Sequence, residues 1–301
     1  MISLRTGKSI RRCCSIAAAI TVFAVLCTHP CLATDAKESR AATDDGGAVG
    51  EKPADPAGIH SLTSPASANP GSSLPPFNTA AASASGRAFV EAAHRPLNWS
   101  GLINQSALFL SIEQGFRLGT QPGTREALKG PFFDDWFTSV KSTKGWGDAD
   151  DFLTNYIGHP MQGSVTGYIF VQNDPGGSRQ TFNWTSAYWN SRLKATLWSA
   201  IYSTQFELGP ISEASIGNVG YPGSSLSGAV DLVMTPLGGL GWQVGEDALD
   251  RYLIMRIETW TSNPTIRMLA RGVLNPTRSF ANVVRWKLPW HRDTRPGIWR
   301  R

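Results

Sequence analysis

From residue 98 onward, apolar side chains recur at intervals of three and four, the spacing of helices buried along one side. Leu102 to Leu118 reads as a first helix with Leu108, Ile112 and Phe116 on one face, closed by Gly119 and Pro122-Gly123. Residues 131–140 make a short aromatic helix around Phe133, Trp136 and Phe137. Asp148 to Tyr156 reads as a helical turn entered from an acidic cap. The next helix, 160–173, has Pro160 in its first turn, and Gly163 and Gly167 allow another backbone to approach closely. Residues 185–208 carry the longest pattern, with Leu193, Leu197 and Ile201 and the aromatics Trp189, Trp198, Tyr202 and Phe206, ended by Gly209-Pro210. After a Gly/Ser/Pro loop at 217–228, a helix begins at Ala229. Thr235-Pro236 and Gly238-Gly239 predict a break or kink before it resumes towards Tyr252. No useful period-2 run and no internal repeat occurs. The pattern predicts an all-α bundle of about five or six helices with glycine and proline kinks.

The first 96 residues follow other rules. Arg5, Lys8, Arg11 and Arg12 precede an apolar run from Ile16 to Leu26, and Cys31-Leu32-Ala33 offers small residues where a signal peptidase cuts. Residues 1–33 are therefore expected to be a cleaved secretory signal, the apolar run being short for a span of roughly 20 residues. Residues 34–96, rich in Ala, Ser, Gly, Pro, Asp and Thr, bury too little to order themselves and read as a disordered linker. All 4 cysteines lie within 1–33, so a mature chain has no disulfide, thiolate metal site or cysteine nucleophile. The expected location is the periplasm or a membrane face of the envelope.

Charge divides the rest into a helical domain at 97–266 and a C-terminal tail at 267–301. The tail holds nine Lys/Arg against Asp293 alone, whereas residues 34–266 are net acidic. An acidic body with a basic end is not a nucleic-acid binder, and export makes nucleic acid a poor partner. Arg285, Trp286, Lys287, Trp290 and Arg292 interleave cations with indoles, as segments at an anionic membrane surface do. The alternative is that these arginines pair with the acidic body. Residues 157–171 and 193–206 are nearly uncharged, which fits either a helix in a membrane interface or a buried core helix.

Four polar residues are candidates for chemistry. His159 stands at a helix start, whose free N–H groups keep an imidazole neutral and ready to act as base or ligand. Glu207 ends an aromatic helix, where desolvation raises a carboxylate's pKa and suits it to acid–base work. Asp231 and Glu246 lie among apolar and glycine residues, as caps or buried acceptors do, and as acid–base partners of His159 do. The glycine string before Glu246 lacks the Lys-Ser/Thr of a phosphate loop. A two-histidine metal site is hard to build from so few, widely separated histidines, although a carboxylate-rich site with His159 stays open. No cofactor is expected.

Asn155-x-x-Gly158-His159-Pro160 with Gly163, Ser203-x-x-Phe206-Glu207, Asp231-Leu232-x-x-Thr235-Pro236-x-Gly238-Gly239, Gly245-Glu246 and Asn275-Pro276-x-Arg278 follow one another over roughly residues 130–285. Together they resemble the signature of an uncharacterised bacterial envelope family with a domain of unknown function. This chain departs in having Phe206 where that family usually has Trp, in Glu213-Ala214-Ser215, and in a longer insert before Asp231. The resemblance implies an envelope-associated helical domain and no particular reaction. Two functions follow as expectations. One is a non-enzymatic helical scaffold or binding module on an anionic membrane, with or without a protein partner. The other is a membrane-interface hydrolase or acid–base enzyme using His159 with Glu207, Asp231 or Glu246.

Overall fold

A computed structural model describes residues 96–148, 150–220 and 228–299, and the expected signal (1–33) and nearly all of the expected linker (34–96) lie outside them. The described residues are helical, with no strand among them. The elements are α1 (Trp99–Thr120), α2 (Pro122–Ala127), α3 (Phe132–Ser142), α4 (His159–Asn173), α5 (Ser186–Leu208), α6 (Glu213–Ile216), α7 (Val230–Val233), α8 (Gly239–Leu249), α9 (Met255–Trp260), α10 (Pro264–Val273) and α11 (Pro276–Val284). Starts are set locally. The Asn98 side chain accepts from Gly101 N at 3.0 Å to begin α1, Thr185 accepts from Tyr188 N to begin α5, and Pro264 and Pro276 occupy first turns.

Three five-residue π-helical turns, Thr154–Gly158, Met234–Gly238 and Asp250–Ile254, link helices without interrupting them. At Thr235-Pro236, where a break or kink is expected, the helix is therefore widened into one of these turns and not interrupted. Pro236 lacks an N–H, but the widened turn shifts the hydrogen-bond register around it, and the backbone stays helical from Val230 to Trp260.

The centre of the bundle is α4. Every residue from His159 to Val171 is buried, and α1, α5, α8, α11 and the Met234–Gly238 turn pack around it. A helix uncharged on all sides is stable when neighbours cover all sides. Close approach depends on glycine. A Cβ on Gly163 would lie 1.7 Å from Thr235 O, and one on Gly239 would lie 2.6 Å from Gly163 C. Phe109 of α1 stacks on Tyr202 of α5 at 5.6 Å and meets Phe280 of α11 edge-on at 5.4 Å.

Two expected faces are corrected. In α1 the buried stripe is Leu102, Ser106, Phe109 and Gln114, with Leu108 and Ile112 half-buried beside it. In α5 the expected core residues Leu193, Leu197 and Ile201 face outward, 55%, 65% and 54% exposed, while Ser191, Arg192, Ser199, Ser203 and Glu207 are inside. The same inversion marks α10. Ile266, Leu269 and Val273 point out, and Arg271 is buried against Glu258 and Trp290 O.

The division at 266/267 falls inside α10, and the C-terminal segment is packed structure. Arg292 is buried with its Nε 3.1 Å from Asp250, Arg295 bonds Asp250 and Glu258, and Arg285 bonds Asp293 and Asn282. Arg292 therefore cannot serve as the surface contact expected of it, because its charge is spent on Asp250. Of the expected membrane string, Trp286 and Lys287 are exposed, while Arg285 and Trp290 are half-buried.

Candidate functional site

His159 lies where the helical backbone of Thr154–Gly158 runs into α4, not at a free helix start. Its backbone N–H bonds Thr154 O, so the unpaired N–H groups expected there are absent. The imidazole is kept neutral by burial, which lowers its pKa. Its Nδ1 is 3.2 Å from Gln162 Oε1 and 3.4 Å from Thr235 Oγ1. Gln162 also bonds the Glu113 carboxyl, and with its Oε1 facing the ring it accepts from Nδ1–H. That arrangement puts the proton on Nδ1 and turns the Nε2 lone pair towards Asp231.

Asp231 Oδ1 is 3.2 Å from His159 Nε2 and accepts no well-directed hydrogen bond. Glu207, from the last turn of α5, completes a triangle: one ligand atom of each residue lies within 4.8 Å of the others. Glu207 Oε1 has no hydrogen-bond partner. The three residues are 7%, 7% and 5% exposed in the order His159, Glu207, Asp231, so solvent does not supply what the carboxylates lack. Burial and the neighbouring Glu213 push the Glu207 carboxyl well above the usual range, with Arg117 opposing. Burial and Asp148 push Asp231 up to about 9.

A second rank of polar groups surrounds this triangle. Asn155 Nδ2 donates to Asp148 Oδ1 at 2.7 Å, holding Asp148 beside Asp231. Arg117 pairs with Glu213. Tyr202 Oη donates to Glu113 Oε2 at 2.6 Å, extending a chain Tyr202–Glu113–Gln162–His159–Asp231 through α5, α1 and α4.

Glu246 is elsewhere. It caps α11, accepting from Thr277 N at 2.9 Å, Arg278 N at 3.1 Å and Trp242 Nε1 at 3.1 Å. The carbonyl of Glu246 also accepts from Asn275 Nδ2 at 2.9 Å, so the Gly245-Glu246 and Asn275-Pro276 segments are joined directly. The structure thus gathers His159, Glu207 and Asp231 and assigns Glu246 to a structural cap.

Reading the sequence missed a second network centred on Asp247, which accepts from Arg192 Nε at 2.7 Å, Tyr188 at 2.9 Å, Tyr168 at 3.0 Å and Arg278. A cleft lined by Tyr168, Phe182, Arg192, Asp247, Arg278 and Arg292 lies on that network, and the His159 triangle does not line it. The available signal was the pair Glu246-Asp247, two adjacent acids in an uncharged helix. Gln162 and Asp148 gave no comparable sign, because each is recognised only by what it touches.

No family model, curated protein or solved structure matches this chain. The geometry therefore stands on its own residues. One neutral imidazole and two carboxyls at this spacing can exchange a proton among themselves or hold a cation.

Proposed function

We propose that this chain is an exported helical protein of the cell envelope that docks on a membrane face through the outward apolar sides of α5 and α10. The observation that carries this reading is their inversion: each helix sends Leu, Ile or Val outward and keeps an arginine, Arg192 or Arg271, inside. In water alone such an arrangement gains nothing, whereas against acyl chains the outward side chains are buried at about 25 cal/mol per Å². Trp184 and Tyr252 are exposed and joined through Phe182, and Arg256 stacks over exposed Trp260 at 5.3 Å, pairings suited to the headgroup level. No helix among the described residues is long and apolar enough to cross a membrane, which fits contact with one face.

The test is flotation of the purified full chain with vesicles of zwitterionic phospholipid containing about one quarter phosphatidylglycerol. Wild type is expected to float with the vesicles, and L193E/L197E to lose at least about tenfold of that binding. Failure of wild type to float ends the reading. A discrete dimer abolished by the same substitutions, with no flotation, would give the face to a second copy.

A second reading, acid–base catalysis at the triangle, is favoured by one observation: Glu207 and Asp231 both converge on the His159 imidazole. The burial of all three means a substrate would have to open the bundle first. His159→Gln protein that stays folded and vesicle-bound yet loses its cellular function would support it, and unchanged function would remove it.

A further inference from the structure

The triangle contains more carboxyl groups than the fold gives hydrogen-bond partners. Glu207 comes from the end of α5 and Asp231 from α7, and both are buried beside His159. Asp148, Asp150 and Glu213 act on the same carboxyls, with Arg117 opposing and already paired to Glu213. Buried carboxylates are normally hydrogen-bonded or paired. Glu207 is more than nine-tenths buried, yet its Oε1 has no hydrogen-bond partner, and Asp231 Oδ1 shares that condition apart from the imidazole it faces. The scaffold spends specific features on keeping these groups together. The Gly163–Thr235 crossing sets α4 against the turn that follows Asp231, and Ser203 Oγ donates to Asp231 O at 3.3 Å, tying α5 to α7.

We infer that His159, Glu207 and Asp231 form a binding site for one divalent metal ion, with Nε2 of the imidazole and one oxygen from each carboxylate as ligands. Two ligands at about 2.1 Å from one ion are at most ~4.2 Å apart. Three equidistant ligands around one ion are at most ~3.6 Å apart, so a spread within 4.8 Å closes by an inward movement of up to ~0.7 Å per atom. The ring is oriented for this role, because Nδ1–H donates to Gln162 Oε1 and leaves Nε2 free to coordinate. Ligating histidines characteristically have their second nitrogen fixed this way. A donor set of one nitrogen and two oxygens suits Mn²⁺, Fe²⁺ or Zn²⁺ rather than a thiophilic ion. The site lies inside the bundle between α4, α5 and α7, so the ion would fasten three helices at the point where their packing is most polar. This inference stands apart from membrane docking: the ligands are internal and the docking side chains face outward.

The experiment uses the full chain, stripped with chelator and titrated with Mn²⁺, which thiolates bind weakly. Bound ion is read by electron paramagnetic resonance and equilibrium dialysis, and thermal unfolding is followed with and without the ion. Wild type is expected to bind one Mn²⁺ per chain and to unfold at a higher temperature with it, and E207Q and D231N each to weaken binding at least tenfold. Both variants keep side-chain shape and replace a buried carboxyl by a neutral amide, so in chelator they are expected to unfold close to or above the wild-type temperature. That result separates lost coordination from lost folding. Absence of stoichiometric binding to wild type, binding that survives both substitutions, or a wild-type unfolding temperature that ignores the ion would each overturn the site. Vesicle flotation of the same variants is expected to be unchanged, so failure here and failure of the docking reading are read separately.

Discussion

A carboxyl group withdrawn from water holds its proton to higher pH, and Glu113 carries that effect to the interior of α1. Burial raises its pKa from the ordinary 4.5 to about 8, with the Tyr202 and Gln162 hydrogen bonds opposing. The folded chain therefore keeps a proton that the unfolded chain releases between roughly pH 4.5 and 8. Its contribution to stability is complete below pH 4.5 and is lost as pH rises through about 8. In metal-free buffer, Glu113→Gln is expected to flatten that part of the stability–pH curve, read by urea unfolding at pH 5, 7 and 9. A variant whose curve matches wild type would remove Glu113 as the cause. Residues of this kind were only partly legible beforehand. Glu207 and Asp231 stood out because a charge among aromatic or apolar neighbours demands an explanation. Glu113 did not, since its position on a helix gives no sign of which face turns inward. His159 was singled out for its place at a helix start, yet burial and Gln162 are what keep it neutral.

At the scale of elements, helix existence was written in the apolar spacing and in stop residues such as Gly209-Pro210, whereas continuity and facing were not. Pro236 and Gly238-Gly239 predict a break only if each helix keeps i to i−4 bonding, and a π turn removes that premise. The face of α5 was misread because period 3.6 says that one side is apolar and leaves open which medium it meets. The two glycines at the crossing of α4 with the Met234–Gly238 turn give a sharper test. Gly163→Ala would put a methyl 1.7 Å from Thr235 O, so neighbouring backbone must move, at a cost of about 1–3 kcal/mol or more. Gly241, in α8, has nothing within 4 Å of an added Cβ, and Gly241→Ala is expected to raise stability by about 0.4–1 kcal/mol. Urea unfolding of the two variants side by side checks both signs. Equal effects would mean that α4 is not held by this crossing.

For the molecule as a whole, the outward apolar helices and the inward arginines describe one arrangement. Arg192, Arg271 and Arg292 are almost fully enclosed, each beside an acid, while large apolar side chains on α1, α3, α5 and α10 meet the outside. Flotation through α5 and α10 should accordingly persist at 0.5 M salt, because apolar burial is not screened, whereas attachment through Lys287 and its neighbours would be lost. Net charge along the chain pointed to the tail as the attachment, and the tail's arginines are instead largely taken up by Asp250, Glu258 and Asp293. Sequence charge counts partners without showing which are already satisfied.

The central position of α4 has a consequence for how the chain is made. Its covering helices come from both ends of the domain, α1 at Trp99–Thr120 and α11 at Pro276–Val284, so no contiguous early stretch can enclose it. An emerging polypeptide leaves the α11 side of α4 uncovered until Pro276–Val284 has been made. The last side of the bundle therefore closes only after the other helices around α4 are in place to receive α11.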